Sequence, residues 1–141
     1  RNPEGLEDTL FFSMSLVLED KQVIWLRTHT DGPIDNHLGV ARPVPVTLDD
    51  LDLGPTVFID STSNAVADRK DELLVYDNSV ESHNKTPQKI FFRVGGEWQE
   101  DDGSTYPVAS TEVIAPSSSI VLRKSATLDG EPVRWVNSPR Y

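Results

Sequence analysis

The chain has 141 residues, no cysteine, and 13 Lys+Arg against 23 Asp+Glu, a formal net charge of −10. That charge repels a nucleic-acid backbone or an anionic bilayer, and the missing cysteines exclude a disulfide framework and a thiolate zinc site. No apolar run approaches the ~20 residues that a membrane-crossing helix needs, and the length sets one domain over residues 1–141.

The start, Arg1-Asn2-Pro3-Glu4-Gly5-Leu6-Glu7-Asp8, is acidic and carries a proline. Such a segment does not order on its own surface, so it is expected to pack along a sheet of its own chain or on a neighbouring subunit. A chain that starts at Arg1 also fits a processed product whose leading segment has been removed. From Leu10 to Leu18 the residues Leu10, Phe12, Met14, Leu16 and Leu18 recur at every second position, the period of a strand with one buried face. Glu19 to Gln22 reads as a turn, and Val23 to Thr28 as the hairpin partner with Trp25 in the core.

Thr30-Asp31-Gly32-Pro33 has turn chemistry. His37 to Val46 holds Pro43 and Pro45, which cannot donate ladder hydrogen bonds, and reads as an extended edge or strap. Thr47 to Gly54 is the one short helical turn, with Thr47 as cap, acidic residues after it and Gly54-Pro55 as the stop. Thr56 to Ile59 reads as a short strand, Asp60 to Asp71 as a polar loop, and Glu72 to Tyr76 as a central strand.

After a polar loop to Gln88, Ile90-Phe91-Phe92-Arg93-Val94 and Glu97-Trp98-Gln99 flank Gly95-Gly96, a two-residue hairpin loop suited to positive φ. Its register sets Arg93 opposite Trp98, within reach of a cation–π contact. Both faces of this hairpin carry apolar side chains, which predicts a layer on each side. Ser119 to Lys124 and Val133 to Asn137 are two further strands around a turn at Asp129-Gly130-Glu131-Pro132. The pattern predicts an all-β fold, a β-sandwich or small barrel of about eight short strands with one short helical turn.

Catalytic patterns are thin. His29, His37 and His83 lie in or beside polar segments without metal-ligand spacing, and no nucleophile elbow, phosphate loop or dinucleotide fingerprint occurs. The acidic runs Asp49/Asp50/Asp52 and Glu100/Asp101/Asp102 read first as solvated turns and second as weak Ca²⁺ sites. Asn84-Lys85-Thr86 matches the glycosylation acceptor pattern, with Pro87 directly after it. No enzyme activity, cofactor or metal is expected.

A longer run of segments carries a resemblance to a known family. Ala41-Arg42-Pro43-Val44-Pro45-Val46-Thr47-Leu48-Asp49-Asp50-Leu51 is followed by Arg69 to Asn78. Gly95-Gly96-Glu97-Trp98, Val121-Leu122-Arg123-Lys124 and Trp135-Val136-Asn137 complete it. In order and wording, residues 36–141 resemble the C-terminal region of a family of exported, β-rich bacterial proteins of the verrucomicrobial type, whose activity is unassigned. The resemblance implies an all-β fold and a secreted or cell-surface location.

Two functions follow as expectations. The first is a non-enzymatic structural protein that self-assembles into a filament or surface layer by β-strand addition. Residues 1–18 would be the exchanged or interface segment, with Leu10, Phe12, Met14, Leu16 and Leu18 at the contact. The partners are then other copies of the chain. The second is a surface module that binds polysaccharide on an aromatic platform, with Arg93 and Trp98 as the ligand-contacting pair.

Overall fold

The computed structural model describes residues 15–18 as backbone, and 21–39, 44–77, 79, 85–116 and 118–138 in full. Ten strands follow in chain order. They are β1 (Ser15–Leu18), β2 (Lys21–Leu26), β3 (Ile34–Gly39), β4 (Val46–Thr47) and β5 (Glu72–Val75). Then come β6 (Lys89–Val94), β7 (Glu97–Glu100), β8 (Val113–Ile114), β9 (Ser119–Lys124) and β10 (Val133–Asn137).

They form three sheets: a five-stranded one ordered β3-β9-β5-β6-β7, a three-stranded one ordered β1-β2-β10, and the pair β4-β8. All the ladders are antiparallel. The sheets do not close on themselves, so of the two expected architectures the protein adopts the sandwich.

Side-chain alternation assigns the faces. Leu38, Ile120, Leu122, Leu73, Phe91 and Trp98 of the large sheet meet Ile24, Leu26 and Trp135 of the three-stranded sheet in one core. Val46, Leu48, Leu51, Leu53, Val57 and Phe58 close the same core from the connecting segment. Leu73 and Leu74 are both fully buried although they point to opposite faces, as are Phe91 and Phe92. The large sheet is therefore covered on both sides at its centre, as the doubly apolar hairpin requires. Burying a side chain of this size contributes about 1.5–3 kcal/mol, so these four positions weigh heavily in stability.

A helical turn sits where the sequence puts it, as a 3-10 turn over Asp49–Leu51, and where one such turn was expected there are two, the second over Val66–Asp68 inside the segment read as a polar loop. The Thr47 hydroxyl donates to Asp50 Oδ2 (2.8 Å) and accepts from the Asp50 N–H (3.2 Å), while the Thr47 N–H donates back to Asp50 Oδ2 (3.3 Å). This is a reciprocal capping box.

Three expectations are corrected. Thr56 to Ile59 is not a strand: the Gly54 carbonyl accepts the Val57 and Phe58 N–H groups, each at 2.9 Å, and curls the segment into a turn. The edge strand expected between His37 and Val46 begins earlier, at Ile34, and its ladder with β9 ends at Gly39. Trp25 is not in the core but 38% exposed, because the alternation of β2 gives the inward positions to Ile24 and Leu26.

Candidate assembly surface

The Gly95-Gly96 loop has φ of +58° and +84°, and the hairpin pairs Arg93 with Trp98 as its sequence dictates. The guanidinium carbon of Arg93 lies 5.5 Å from the Trp98 ring centre and 5.1 Å from that of Phe58. Arg93 Nε donates to Asp60 Oδ1 at 2.8 Å, Nη2 to the Phe58 carbonyl at 2.7 Å, and Nη1 to the Leu53 carbonyl. The other Asp60 oxygen accepts the Gly96 N–H at 2.6 Å. Trp98 is 2% exposed, with the Phe58 ring tilted at 55° against it and the ring centres 4.8 Å apart. The pair expected to hold a sugar ring is thus a buried clamp that ties the hairpin to the segment Leu53–Asp60. It presents no open ring face to a ligand.

The five positions expected at an interface divide. Leu10, Phe12 and Met14 lie outside the described residues. Leu16 and Leu18 stand in β1, opposite Val23 and Lys21 of the same chain's β2. Residues 15–18 therefore pair within their own subunit.

The sheet edges differ in how they are finished. Beyond β7, Val108 bridges Gln99, the Glu100 N–H donates to the Pro107 carbonyl (2.9 Å), and the Ala109 N–H donates to the Trp98 carbonyl (2.8 Å). That edge is closed. At the opposite edge, among the described residues, β3 pairs with β9 and with no other strand. A cavity of about 420 Å³ runs along the paired strands β3 and β9, lined by His37, Leu38, Gly39, Tyr76, Lys85, Ser119, Ile120 and Val121. Of the lining residues, Lys85 is engaged within the fold, its Nζ donating to the Asp77 carbonyl at 2.9 Å.

Charged side chains on the large sheet are paired within the fold. Arg123 grips Asp35 of β3 through Nε–Oδ1 (2.7 Å) and Nη2–Oδ2 (3.0 Å), and stands 3.7 Å from Glu72. The Arg123 hydrogen bond lowers the Asp35 carboxyl below its ordinary value against an opposing contribution from burial, and Arg123 is raised in return. Lys89 bridges Glu112 (2.6 Å) and Glu100 (3.3 Å), and the Glu112 hydrogen bond raises its ammonium above the usual value.

The acidic runs separate into individual structural tasks. Asp50 completes the capping box with Thr47, Asp101 binds Arg69 at 3.2 Å, and the Thr105 hydroxyl, followed by the N–H groups of Ser104, Tyr106 and Thr105, holds the Asp102 carboxyl far below the ordinary range. Among the described residues no group of three or more His, Cys, Asp or Glu side chains could hold a metal ion. His29 accepts the Asp31 N–H at 3.1 Å, and His83 and Asn84 lie outside the described residues.

Two buried cations were not anticipated from the sequence. Arg69 lies flat on Phe92, its guanidinium carbon 3.6 Å from the ring centre, and covers the outer face of the large sheet. Lys124 is inside the core with Asp71. The signal was present, since period 2 along β9 sets Lys124 on the same face as Ile120 and Leu122. No family model, no curated protein and no solved structure matches the chain. Among the described residues, no helix is long and apolar enough to cross a membrane.

Proposed function

We propose that this chain is a non-enzymatic, extracellular structural subunit that polymerises into a filament or surface layer by β-strand addition. The observation that carries the reading is the β3 edge with its neighbouring cavity. Residues 1–14 of one subunit would pair along β3 of the next, their alternate apolar side chains entering the cavity. Glu4 and Asp8, on the same face of the donor as Leu6, Leu10, Phe12 and Met14, would face Lys85 and His37 at the acceptor. Main-chain hydrogen bonds give such a contact its strength, and alternate side chains its register. A head-to-tail contact that does not close on itself yields an open polymer. The resemblance to exported β-rich proteins supports the extracellular placement.

The test compares the whole chain with one lacking residues 1–14, by sedimentation and electron microscopy at micromolar concentration. High-mass regular assemblies from the whole chain, and a folded monomer from the truncated one, are expected. A folded monomer in both cases overturns the reading.

A second reading, a glycan-binding module, moves from Trp98 to Trp25. That ring is 38% exposed and paired across the sheet with exposed Arg134. In that case Trp25→Ala abolishes retention on immobilised polysaccharide with the melting curve unchanged, and equal retention of both proteins removes the idea.

A further inference from the structure

Asp71 immediately precedes β5, and Lys124 is the last residue of β9. The ladder pairs Glu72 with Arg123, so Asp71 and Lys124 occupy the next opposed positions, on the core face of the large sheet. Their side chains are 0% and 1% exposed, and Lys124 Nζ hydrogen-bonds Asp71 Oδ2 directly. The carboxyl is held from every other side. Oδ1 accepts the Ser125 N–H at 2.8 Å and the Ser125 hydroxyl at 3.0 Å, and Oδ2 accepts the Ile59 N–H at 2.8 Å. Nζ has one further partner, the Val57 carbonyl at 2.5 Å.

We propose that Lys124 and Asp71 condense into an intramolecular amide, an isopeptide cross-link between β9 and the start of β5. The step needs no co-reactant. One proton moves from Nζ to Oδ2 across the existing hydrogen bond and leaves a neutral amine facing a neutral acid. Nζ then attacks Cγ, forming the C–N bond, while the negative charge that develops on Oδ1 is met by the Ser125 N–H and hydroxyl, donors already in place. A second proton passes from nitrogen to Oδ2, the Cγ–Oδ2 bond breaks, and one water leaves. The third hydrogen of the former ammonium remains as the amide N–H and keeps its bond to the Val57 carbonyl. The Ile59 N–H, which loses its acceptor, belongs to a residue 38% exposed and can turn to solvent.

Three physical effects favour the product. Holding nucleophile and carbonyl carbon in contact gives the high effective concentration of a well-oriented intramolecular reaction. Two desolvated charges are replaced by one neutral, hydrogen-bonded amide, which removes the cost of burying an ion pair. Burial also keeps bulk water from the amide and so opposes hydrolysis. The inference concerns the interior of one subunit and stands apart from the assembly reading.

Intact-mass spectrometry of the folded, aged wild-type chain is the test, with Lys124→Arg as the control. Expected are a wild-type mass lower by one water, a branched peptide joining the segments around Asp71 and Lys124, loss of tryptic cleavage after Lys124, and the full calculated mass for Lys124→Arg. The full calculated mass in folded wild type overturns the proposal. So does a water loss that persists in Lys124→Arg, since that would be a succinimide at Asp31-Gly32, Asp102-Gly103 or Asp129-Gly130. The wild-type spectrum decides the matter even if the variant does not fold.

Discussion

Arg69, Arg93 and Lys124 are spent inside the molecule. Their side chains are almost fully buried, each against carbonyl oxygens or a carboxylate, and the arginines also against aromatic rings. An arginine in such a place works through its flat fork, which satisfies several acceptors while its face stacks on a ring. Asp35 and Arg123 form the half-exposed counterpart at the β3 edge, and here pH discriminates. The folded-state value of Asp35 is lowered. Its contribution is therefore fully present above the ordinary carboxyl value of about 3.9 and is lost as the pH falls through the lowered value. Solvent screening keeps it at or below about 1 kcal/mol. Asp35→Asn should lower Tm slightly at pH 7 and lose less on acidification toward about pH 2 than wild type does, since Asn has no charge to lose. Parallel acid-side melting curves for the two proteins would contradict this.

At the scale of elements, the β6–β7 hairpin was legible because its register is set by two residues. Gly95 and Gly96 both take positive φ, which an L side chain accepts at a cost of roughly 1–2 kcal/mol per residue. No atom lies within 4 Å of a Cβ built on Gly96, so backbone conformation alone is at issue. Gly96→Ala should therefore lower unfolding free energy by about 1–2 kcal/mol in urea titration, with an unchanged m-value. A neutral result would mean that the loop relaxes to another turn type. The Thr47 cap was legible for the same local reason, since Thr47 and Asp50 are three residues apart. The segment Thr56 to Ile59 was not, because a run of apolar residues looks the same in a strand and in a turn that buries them. What decides is the Gly54 carbonyl, which accepts the Val57 and Phe58 N–H groups, while the Ile59 N–H goes to Asp71 Oδ2 rather than to a ladder.

For the whole molecule the net charge of −10 becomes a kinetic matter. Lys124 and Asp71 are buried together and cancel, whereas Arg69 and Arg93 are buried against carboxylates that stay partly exposed, so subunits of the proposed polymer would meet through strongly acidic surfaces. Like-charged subunits approach slowly until salt screens them, and the screening length falls from about 30 Å at 0.01 M to about 8 Å at 0.15 M. The rate of assembly should therefore rise over this range, against the smaller loss of attraction between the acidic donor segment and Lys85. Light scattering during a salt series would show it. Growth that is fastest at the lowest salt would mean that local charge pairing, not net repulsion, sets the rate.

Local rules reached far into this protein and then stopped at a definite point. Alternation, turn residues and capping chemistry determined the all-β class, the hairpins at β1–β2 and β6–β7, the central position of Glu72 to Val75, and two covered faces at Phe91 and Phe92. Each depends on residues a few positions apart. The tertiary structure alone decided which tryptophan is open, that Trp98 and Arg93 form a buried clamp, that β3 pairs only with β9 among the described residues while Val108 bridges the β7 edge, and that Asp71 meets Lys124. Those outcomes depend on which layer covers which face and on strands joined across long stretches of chain: Asp71 and Lys124 are 53 residues apart. A period of two residues assigns a side chain to one of two faces, but only packing of the sheets decides which face is the interior.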